Sequence, residues 1–362
     1  MAVFCTNCGS NYPPTGLPYK CNNCGGLFDI SSDQLFSERL LDRSQPGIWR
    51  YSDTFGLPKI VNPISLSEGN TPLIWAEAFG RRIAFKCEHF NPTGSFKDRG
   101  SAVIAAWLQA QGIREVIEDS SGNAGASLAA YATRVGIKST IFVPEFASGT
   151  KIKQIEAFGA EIRRVSGTRA DVALKIRKVV ERGSFYASHA YLPFNLPGYA
   201  TAAYEIYEQL GNIMPGGIIV PAGQGGLLLG LARGFDALRI TDNIHRKIPR
   251  MIGVQTRACA PLWERFSKLK SAPQNRNTRS IAEGVQVSEP LRADAVLKVI
   301  EESHGSIHAV EEKEILTCRS KLAKLGFFVE PSSAIVWSGL KKNIMDLHDP
   351  VVVVLTGSGY KN

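Results

Sequence analysis

Lys97 lies in Asn91-Pro-Thr-Gly-Ser-Phe-Lys-Asp-Arg-Gly100, a run of small residues that leads into a segment of helical period. The positive end of a helix dipole disfavours a protonated amine there. Partial desolvation pushes the same way, so a lysine in this place is ready to attack a carbonyl and form a Schiff base. Taken alone, it also reads as a solvated lysine on a helix face. Ser120-Ser-Gly-Asn-Ala-Gly125 forms a second small-residue turn. Its hydroxyls and N–H groups make an anion nest suited to a carboxylate, and the Asn123 amide can hold a phenolic oxygen. The same residues also make a good turn and helix cap. A third turn, Pro221-Ala-Gly-Gln-Gly-Gly-Leu227, lets the main chain cradle a phosphate on the dipole of the next helix. One glycine loop is a weak signal; three such turns in one chain are far more specific.

Cys5, Cys8, Cys21 and Cys24 form C-x2-C-x12-C-x2-C, near the spacing of a four-thiolate zinc ribbon. Gly9 and Gly25-Gly26 follow the two pairs and let backbone N–H groups approach the sulfurs. Two disulfides or a redox pair are the alternatives. The absence of an export signal speaks against the first, and the absence of a thioredoxin-like helix start against the second. A closed four-thiolate site is structural, so no chemistry is expected there. Cys87, Cys259 and Cys318 are spaced singly, as small core residues are.

The elements that position these turns are punctuated by glycine. Glycines at 112, 136, 159 and 183 close helix-period segments at Asp98–Gln111, Ala124–Val135, Ser148–Phe158 and Arg169–Arg182. After each comes a β-rich run: Arg114–Glu118, Lys138–Val143, Glu161–Val165 and Ser184–Ser188. Four βα units in series predict a parallel sheet with crossover helices. A second α/β region follows, with a helix at Ala200–Leu210, a strand at Gly217–Pro221, a helix at Leu227–Leu238 and a strand at Ile248–Gln255. Ser271–Ser280 reads as a polar surface loop. Helices are expected at Ala293–Ser303, Val310–Leu325 and Ser333–Lys342, and a buried strand at Val351–Leu355. In an open α/β sheet, ligands bind at the carboxyl ends of the strands, where all three turns fall.

The chain has 362 residues, a prior of about 2.4 domains at ~150 residues each. With 44% hydrophobic and 21% charged residues it is neither disordered nor collagen-like. The longest apolar run, Ala102–Leu108, falls far short of the ~20 residues that span a bilayer. MAVFCTNCGS lacks the features of a secretory signal, so a cytoplasmic protein without membrane attachment is expected. The net charge is 42 − 33 = +9. The basic residues are scattered, and the densest group (Arg163, Arg164, Arg169, Lys175, Arg177, Lys178) has the spacing of a solvated helix face. That pattern favours solubility or an anionic small ligand over nucleic acid.

Glu68-Gly-Asn-Thr-Pro-Leu73, the Lys97 segment, the Ser-Gly-Asn turn, the glycine loop and Leu355-Thr-Gly-Ser-Gly359 occur in that order. Together they resemble pyridoxal-phosphate enzymes of the tryptophan-synthase-β superfamily, fold type II. The nearest likeness is to threonine synthase, through NPTGSFKDRG, the terminal LTGxGxK and the four-cysteine ribbon. The resemblance implies two three-layer α/β domains with mainly parallel sheets, plus the zinc ribbon. The ribbon would span 1–32, a smaller βα domain 95–190, and a larger α/β domain 50–94 with 191–362. It implies pyridoxal 5′-phosphate and a structural zinc as cofactors, an amino-acid substrate and a homodimer. By the same resemblance Lys97 carries the cofactor and takes the α-proton, and Asn123 bonds the cofactor's 3′-oxygen. Gly223, Gln224, Gly225, Gly226 and Leu227 hold its phosphate, and Thr356 meets the pyridine nitrogen with a neutral hydroxyl. Ser120, Ser121 and Gly122 take the substrate carboxylate. Beyond the β-carbon the pocket is bordered by Ala124, the His189–Asn195 stretch and Gln224.

Three positions depart from threonine synthases. Ala124 stands where a Thr helps bind the substrate phosphate, Asn195 where an Arg grips it, and Gln224 where many members have Asn. Losing that Arg removes a bidentate, charge-assisted contact. The expected activity is a threonine-synthase-like elimination followed by hydration, with an uncharged leaving group preferred over phosphate. A serine/threonine ammonia-lyase and a β-replacement enzyme are the alternatives within the cofactor class. A non-catalytic ribbon-bearing binding protein is the alternative outside it, and the intact Lys97 segment counts against that.

Overall fold

The structure is a computed structural model that describes residues 3–30, 36, 41–56, 63–241, 248–268 and 279–361. Residues 271–278 of the expected polar loop, and 1–2 and 31–32 of the expected ribbon, lie outside the described residues. Along the chain the strands and helices begin with β1 (Val3–Cys5) and β2 (Phe28–Ile30), then β3 (Leu73–Ala78) and β4 (Arg81–Lys86). Next come α1 (Lys97–Ala110), β5 (Glu115–Glu118), α2 (Asn123–Arg134), β6 (Lys138–Pro144), α3 (Thr150–Ala157), β7 (Glu161–Val165) and α4 (Arg169–Val180). They are followed by α5 (Asn195–Gln209), β8 (Gly217–Pro221), α6 (Gly226–Thr241), β9 (Arg250–Thr256), α7 (Pro261–Phe266) and α8 (Ala293–Glu302). The chain closes with β10 (Ser306–Val310), α9 (Glu312–Lys324), α10 (Pro331–Ala334), α11 (Val336–Asn343) and β11 (Val351–Val354). Two compact units result, one of residues 1–69 with 97–198, the other of 70–96 with 199–361.

In the first unit β5, β6 and β7 form a parallel sheet in sequence order. Successive side chains of a strand face opposite sides. Ile141 and Val143 accordingly pack with Ile152 and Ile155 of α3, while Phe142 packs with Val172 and Ile176 of α4. The glycines at 112, 136, 159 and 183 have φ of +67°, +69°, +82° and +99°, the left-handed caps that the spacing requires. The fourth expected strand, Ser184–Ser188, is reduced to one parallel bridge between Tyr186 and Ile117. α5 starts at Asn195, five residues before the expected Ala200.

The sequence assigns residues 50–69 to the larger domain, yet 50–56 and 63–69 fold into the first unit. The cause is Glu68, which is fully buried. It accepts hydrogen bonds from Trp49 Nε1 at 2.9 Å, the Leu66 N–H at 2.9 Å and the Tyr131 hydroxyl at 2.7 Å, so this segment is tied to α2.

The antiparallel pair β1–β2 docks on the same unit through aromatic side chains. Tyr12 meets Phe194 at 5.2 Å and Trp107 at 6.3 Å between ring centroids, and Leu17 joins the core of Ile104, Leu108 and Leu128.

The second unit holds a six-stranded sheet in the order β10-β9-β8-β11-β4-β3. All neighbours are parallel except β3–β4, a hairpin turned by Phe79 and Gly80 at positive φ. β10 departs from the sequence reading, in which a helix begins at Val310 with no strand before it. The structure pairs Ser306–Val310 with β9 and starts α9 only at Glu312. β8 and β11 are unbroken apolar runs, as parallel strands covered on both faces must be. Lys86 and Glu205 form an ion pair of 2.7 Å inside this unit, both side chains without solvent exposure. No helix among the described residues is long and apolar enough to cross a membrane.

Candidate active site

Within the first unit, Lys97 is the first residue of α1, where four backbone N–H groups lack intrahelical partners. Its neighbour Asp98 is buried and accepts a hydrogen bond from Ser127 Oγ at 2.6 Å, which fixes the start of α1 against α2. The turn Ser120–Asn123 leaves the carboxyl end of β5 and enters α2. Its cap residue, Gly122, offers no side chain to the first N–H groups of that helix. A Cβ on Gly125 would collide with the Ser120 carbonyl, so only glycine lets the turn close on the helix. The sequence therefore brings the amine, the nest and the buried Ala124 to one edge of one unit.

The same edge carries acid–base groups that the motifs did not announce. Glu118, the last residue of β5, has a side chain 1% exposed and lies 2.7 Å from His189 Nδ1 through its Oε1. Burial pushes the Glu118 carboxyl up to about 8, although the Asp119 backbone N–H, Lys97, the His189 backbone N–H and Arg169 pull it down. Burial, with the charge of Lys97, holds the His189 imidazole well below its ordinary range. Burial thus acts against charge on both partners of this contact. Beside them the Tyr186 hydroxyl donates to Asp119 Oδ1 at 2.8 Å, and burial together with Glu118 raises the Asp119 carboxyl.

Asn195 is 2% exposed, and its Nδ2 donates to the His189 carbonyl oxygen. The amide holds the His189 segment. Arg169, read as part of a solvated helix face, is exposed at the start of α4 and close enough to act electrostatically on Glu118, Asp119 and His189. Sequence reasoning missed Glu118, Asp119, Tyr186 and Arg169 as members of this group. The available signal was two adjacent carboxylates at a strand end, directly before a nest that itself favours anions.

The second unit presents the glycine loop and Thr356. β8 and β11 are adjacent and parallel, paired Val351 to Gly217 and Val353 to Ile219. Continued along the strands, this register sets Thr356 level with Ala222, so hydroxyl and loop emerge side by side. Gly225 has φ +80°, and a Cβ there would collide with Val296. A Cβ on Gly223 would stand 3.2 Å from the Gly284 carbonyl oxygen. The loop is thus bare main chain at the N-terminus of α6, whose N–H groups suit a phosphate monoester. Gln224 turns its Oε1 to the Leu291 N–H at 3.1 Å. Its side chain anchors the loop, and its backbone stays part of the cradle. Thr356 is held at both backbone groups, its N–H donating to Ser333 Oγ at 2.9 Å and its carbonyl accepting from the Phe96 N–H at 3.1 Å. The main chain that carries this neutral hydroxyl is thereby fixed.

The four ribbon sulfurs lie within 4.8 Å of one another, with Cys5 to Cys24 at 3.4 Å, Cys8 to Cys24 at 3.4 Å and Cys8 to Cys21 at 3.7 Å. Cys5, Cys8, Cys21 and Cys24 form no disulfide. Tetrahedral ligands at ~2.3 Å from a zinc ion stand about 3.8 Å apart, so the cluster fits a zinc far better than a bonded sulfur pair.

The likeness to known proteins spans both units. The model of the family described as pyridoxal-phosphate dependent enzyme matches residues 64–357. A threonine synthase of Methanocaldococcus jannaschii is 34% identical, covering 100% of this chain and 93% of the relative. One of Methanosarcina acetivorans is 30% identical over 98% and 90%. Among solved structures, a threonine deaminase of T.th. superposes with a TM-score of 0.67 at 26% identity, over 80% of this chain and 92% of that one. Maize serine racemase has the same fold, with a TM-score of 0.68 at 23% identity over 80% and 88%.

Proposed function

The chain belongs to the pyridoxal-phosphate dependent enzyme family, and from that premise we propose that it is a threonine-synthase-like lyase acting on an amino acid whose leaving group is uncharged. The cofactor, when bound, takes up the electrons released at the α-carbon. In the first unit Lys97 would carry the cofactor and then accept the α-proton at Nζ. Ser120, Ser121 and Gly122 would hold the substrate carboxylate, and Asn123 the cofactor's 3′-oxygen. In the second unit Gly223, Gln224, Gly225, Gly226 and Leu227 would take the phosphate through main-chain N–H groups. Thr356 would face the ring nitrogen with a neutral hydroxyl, which favours elimination over a long-lived carbanion. The bare main chain of this loop, where a Cβ on Gly225 has no room beside Val296, supports the phosphate assignment. A structural zinc on Cys5, Cys8, Cys21 and Cys24 belongs to the same reading. A homodimer working in the cytoplasm is proposed on family likeness alone.

One observation carries the preference for an uncharged leaving group. Where threonine synthases have the phosphate-gripping Arg, Asn195 is neutral, buried and occupied with His189, and burial disfavours the charged form of His189. A bidentate contact to a charged group is worth about 1.5–3 kcal/mol, one to two factors of ten in binding. A second reading, in which phosphohomoserine remains the substrate, has Arg169 in its favour as a cation that acts on this cluster. Side-by-side kcat/KM values for phosphohomoserine, threonine, serine and O-acetylserine decide between them. The same assay, with ammonia, 2-oxo acid and phosphate followed and a thiol acceptor added, separates lyase, ammonia-lyase and β-replacement. The expected outcome is a preference for an uncharged group by about tenfold or more. A clear win for phosphohomoserine would restore the ordinary threonine synthase substrate.

A further inference from the structure

We propose that Glu118 and His189 form a proton relay that protonates the departing side-chain oxygen of the substrate, with His189 as the group that touches it and Glu118 as the positioning residue and proton store behind it. This rests on the elimination reading above and adds to it an acid that neither the motifs nor the family resemblance supplies.

The geometry is that of a relay. Glu118 ends β5 immediately before the turn that would bind the substrate carboxylate, so whatever the nest holds is presented at this edge. Its carboxyl is buried and meets His189 Nδ1 at 2.7 Å, while the imidazole is partly exposed and has its second nitrogen to offer. Asn195 Nδ2 fixes the backbone of His189 from behind. On the other side Asp119 is held by Tyr186, so the second carboxylate of the pair has its own donor. The titratable and charged groups that face this pair are Lys97, Asp119, Arg169 and Tyr186.

Need and supply match. Hydroxide is a poor leaving group, and an oxygen that departs from carbon needs a proton in the transition state. As the carbon–oxygen bond breaks, its electron pair stays on oxygen, and the His189 Nε2 proton goes to that oxygen. Nδ1 takes the Glu118 proton, which leaves the carboxylate with its negative charge. Lys97 has by then gained the α-proton, and its positive charge stabilises that carboxylate; Lys97 already interacts electrostatically with both partners. Proton return from Lys97 through solvent resets the pair. A neutral couple serves this purpose better than an ion pair, because only the neutral form stores a proton on Glu118 that is free to move.

The test uses leaving groups of unequal need. β-Chloro-L-alanine loses chloride, which departs without a proton, and L-serine loses hydroxide. The ratio of kcat/KM for β-chloroalanine over serine is measured in the holoenzyme, in Glu118→Gln and in His189→Gln. The relay requires this ratio to rise by about a hundredfold or more in both variants, and the double variant to rise no further than either single one. A ratio within about threefold of the wild-type value in folded variants overturns the relay while leaving the elimination reading intact. A wild-type enzyme that processes neither compound overturns both. Two measurements on the wild-type protein are independent of whether variants fold. Histidine nitrogen NMR is expected to find His189 as the neutral Nε2–H tautomer at pH 7, and infrared difference spectra a protonated buried carboxyl group; an imidazolium beside a carboxylate at that pH sinks the proposal. A solvent deuterium effect is expected on serine turnover and not on chloroalanine turnover. Equal effects on the two also count against it.

Discussion

At the scale of single residues, neighbours set the chemistry more than residue type does. Lys97 is an ordinary lysine until a helix start and the nearby Glu118 and His189 act on it. Lys97→Ala is expected to leave a folded protein with turnover reduced by several orders of magnitude. Peptide mapping after borohydride reduction of the wild-type enzyme should tag Lys97 alone, and substantial activity in the variant or a tag on another lysine would move the site. Glu118 supplies a prediction in pH. Its folded-state pKa, about 8, lies above the ordinary value of 4.5. The folded chain therefore binds more protons than the unfolded chain between those values, and stability falls as pH rises through that window. Glu118→Gln has no such proton to lose. Wild-type stability should thus decline relative to the variant's between about pH 4.5 and 8, as read by urea unfolding at several pH values. Parallel curves would mean that Glu118 is ionised in the folded protein.

At the scale of elements, the ribbon and the glycine loop are the two pieces whose form depends on something other than an apolar face. The ribbon strands are three residues long, and the small cluster of Cys5, Cys21 and Phe28 is its own buried centre. Its attachment is through Tyr12 against Phe194 and Trp107, and Tyr19 against Tyr186 and Tyr191. One zinc per chain is expected by metal analysis. Its removal with a chelator should lower the thermal midpoint by several degrees while kcat below the transition changes less than about threefold. A reduced preparation free of zinc yet fully stable would refute the assignment. For the glycine loop, Gly225→Ala should strain a φ of +80° and press a methyl into Val296. At ~1–3 kcal/mol for such strain, cofactor binding is expected to weaken by about tenfold or more, measurable by dialysis and absorbance. Unaltered affinity would show that the phosphate lies elsewhere.

At the scale of the whole molecule, each unit is assembled by buried polar contacts between segments far apart in sequence. Glu68 ties the segment of Trp49 and Leu66 to α2 in the first unit. In the second, Lys86 Nζ reaches Glu205 Oε2 at 2.7 Å and the Thr71 carbonyl at 2.8 Å, while the Asn70 N–H donates to Glu205 at 2.7 Å. Lys86→Met would remove the partner of a fully buried carboxylate, a change that costs about 3–5 kcal/mol. Denaturant unfolding should show a loss of that order. The double variant with Glu205→Leu should recover a good part of it, since an apolar pair needs no charge compensation. A loss below about 1 kcal/mol would mean that water reaches the pair.

The sequence by itself determined the local grammar. The glycine spacing reflects left-handed caps that few other residues adopt, the short apolar runs at Gly217–Pro221 and Val351–Val354 are covered strands, and the three turns need small residues for close approach of the main chain. It also carried the cofactor class, because Lys97, the Ser-Gly-Asn turn, the glycine loop and Thr356 are each legible in a few consecutive residues. Only the tertiary structure decided which strand lies beside which, that Glu68 draws its segment into the first unit, and that Ser184–Ser188 contributes a bridge while Ser306–Val310 becomes a strand. It alone brought Glu118 to His189 across 71 positions of sequence. The physical reason is burial. Whether a carboxyl group keeps its proton depends on what surrounds it in space, and no spacing along the chain records that.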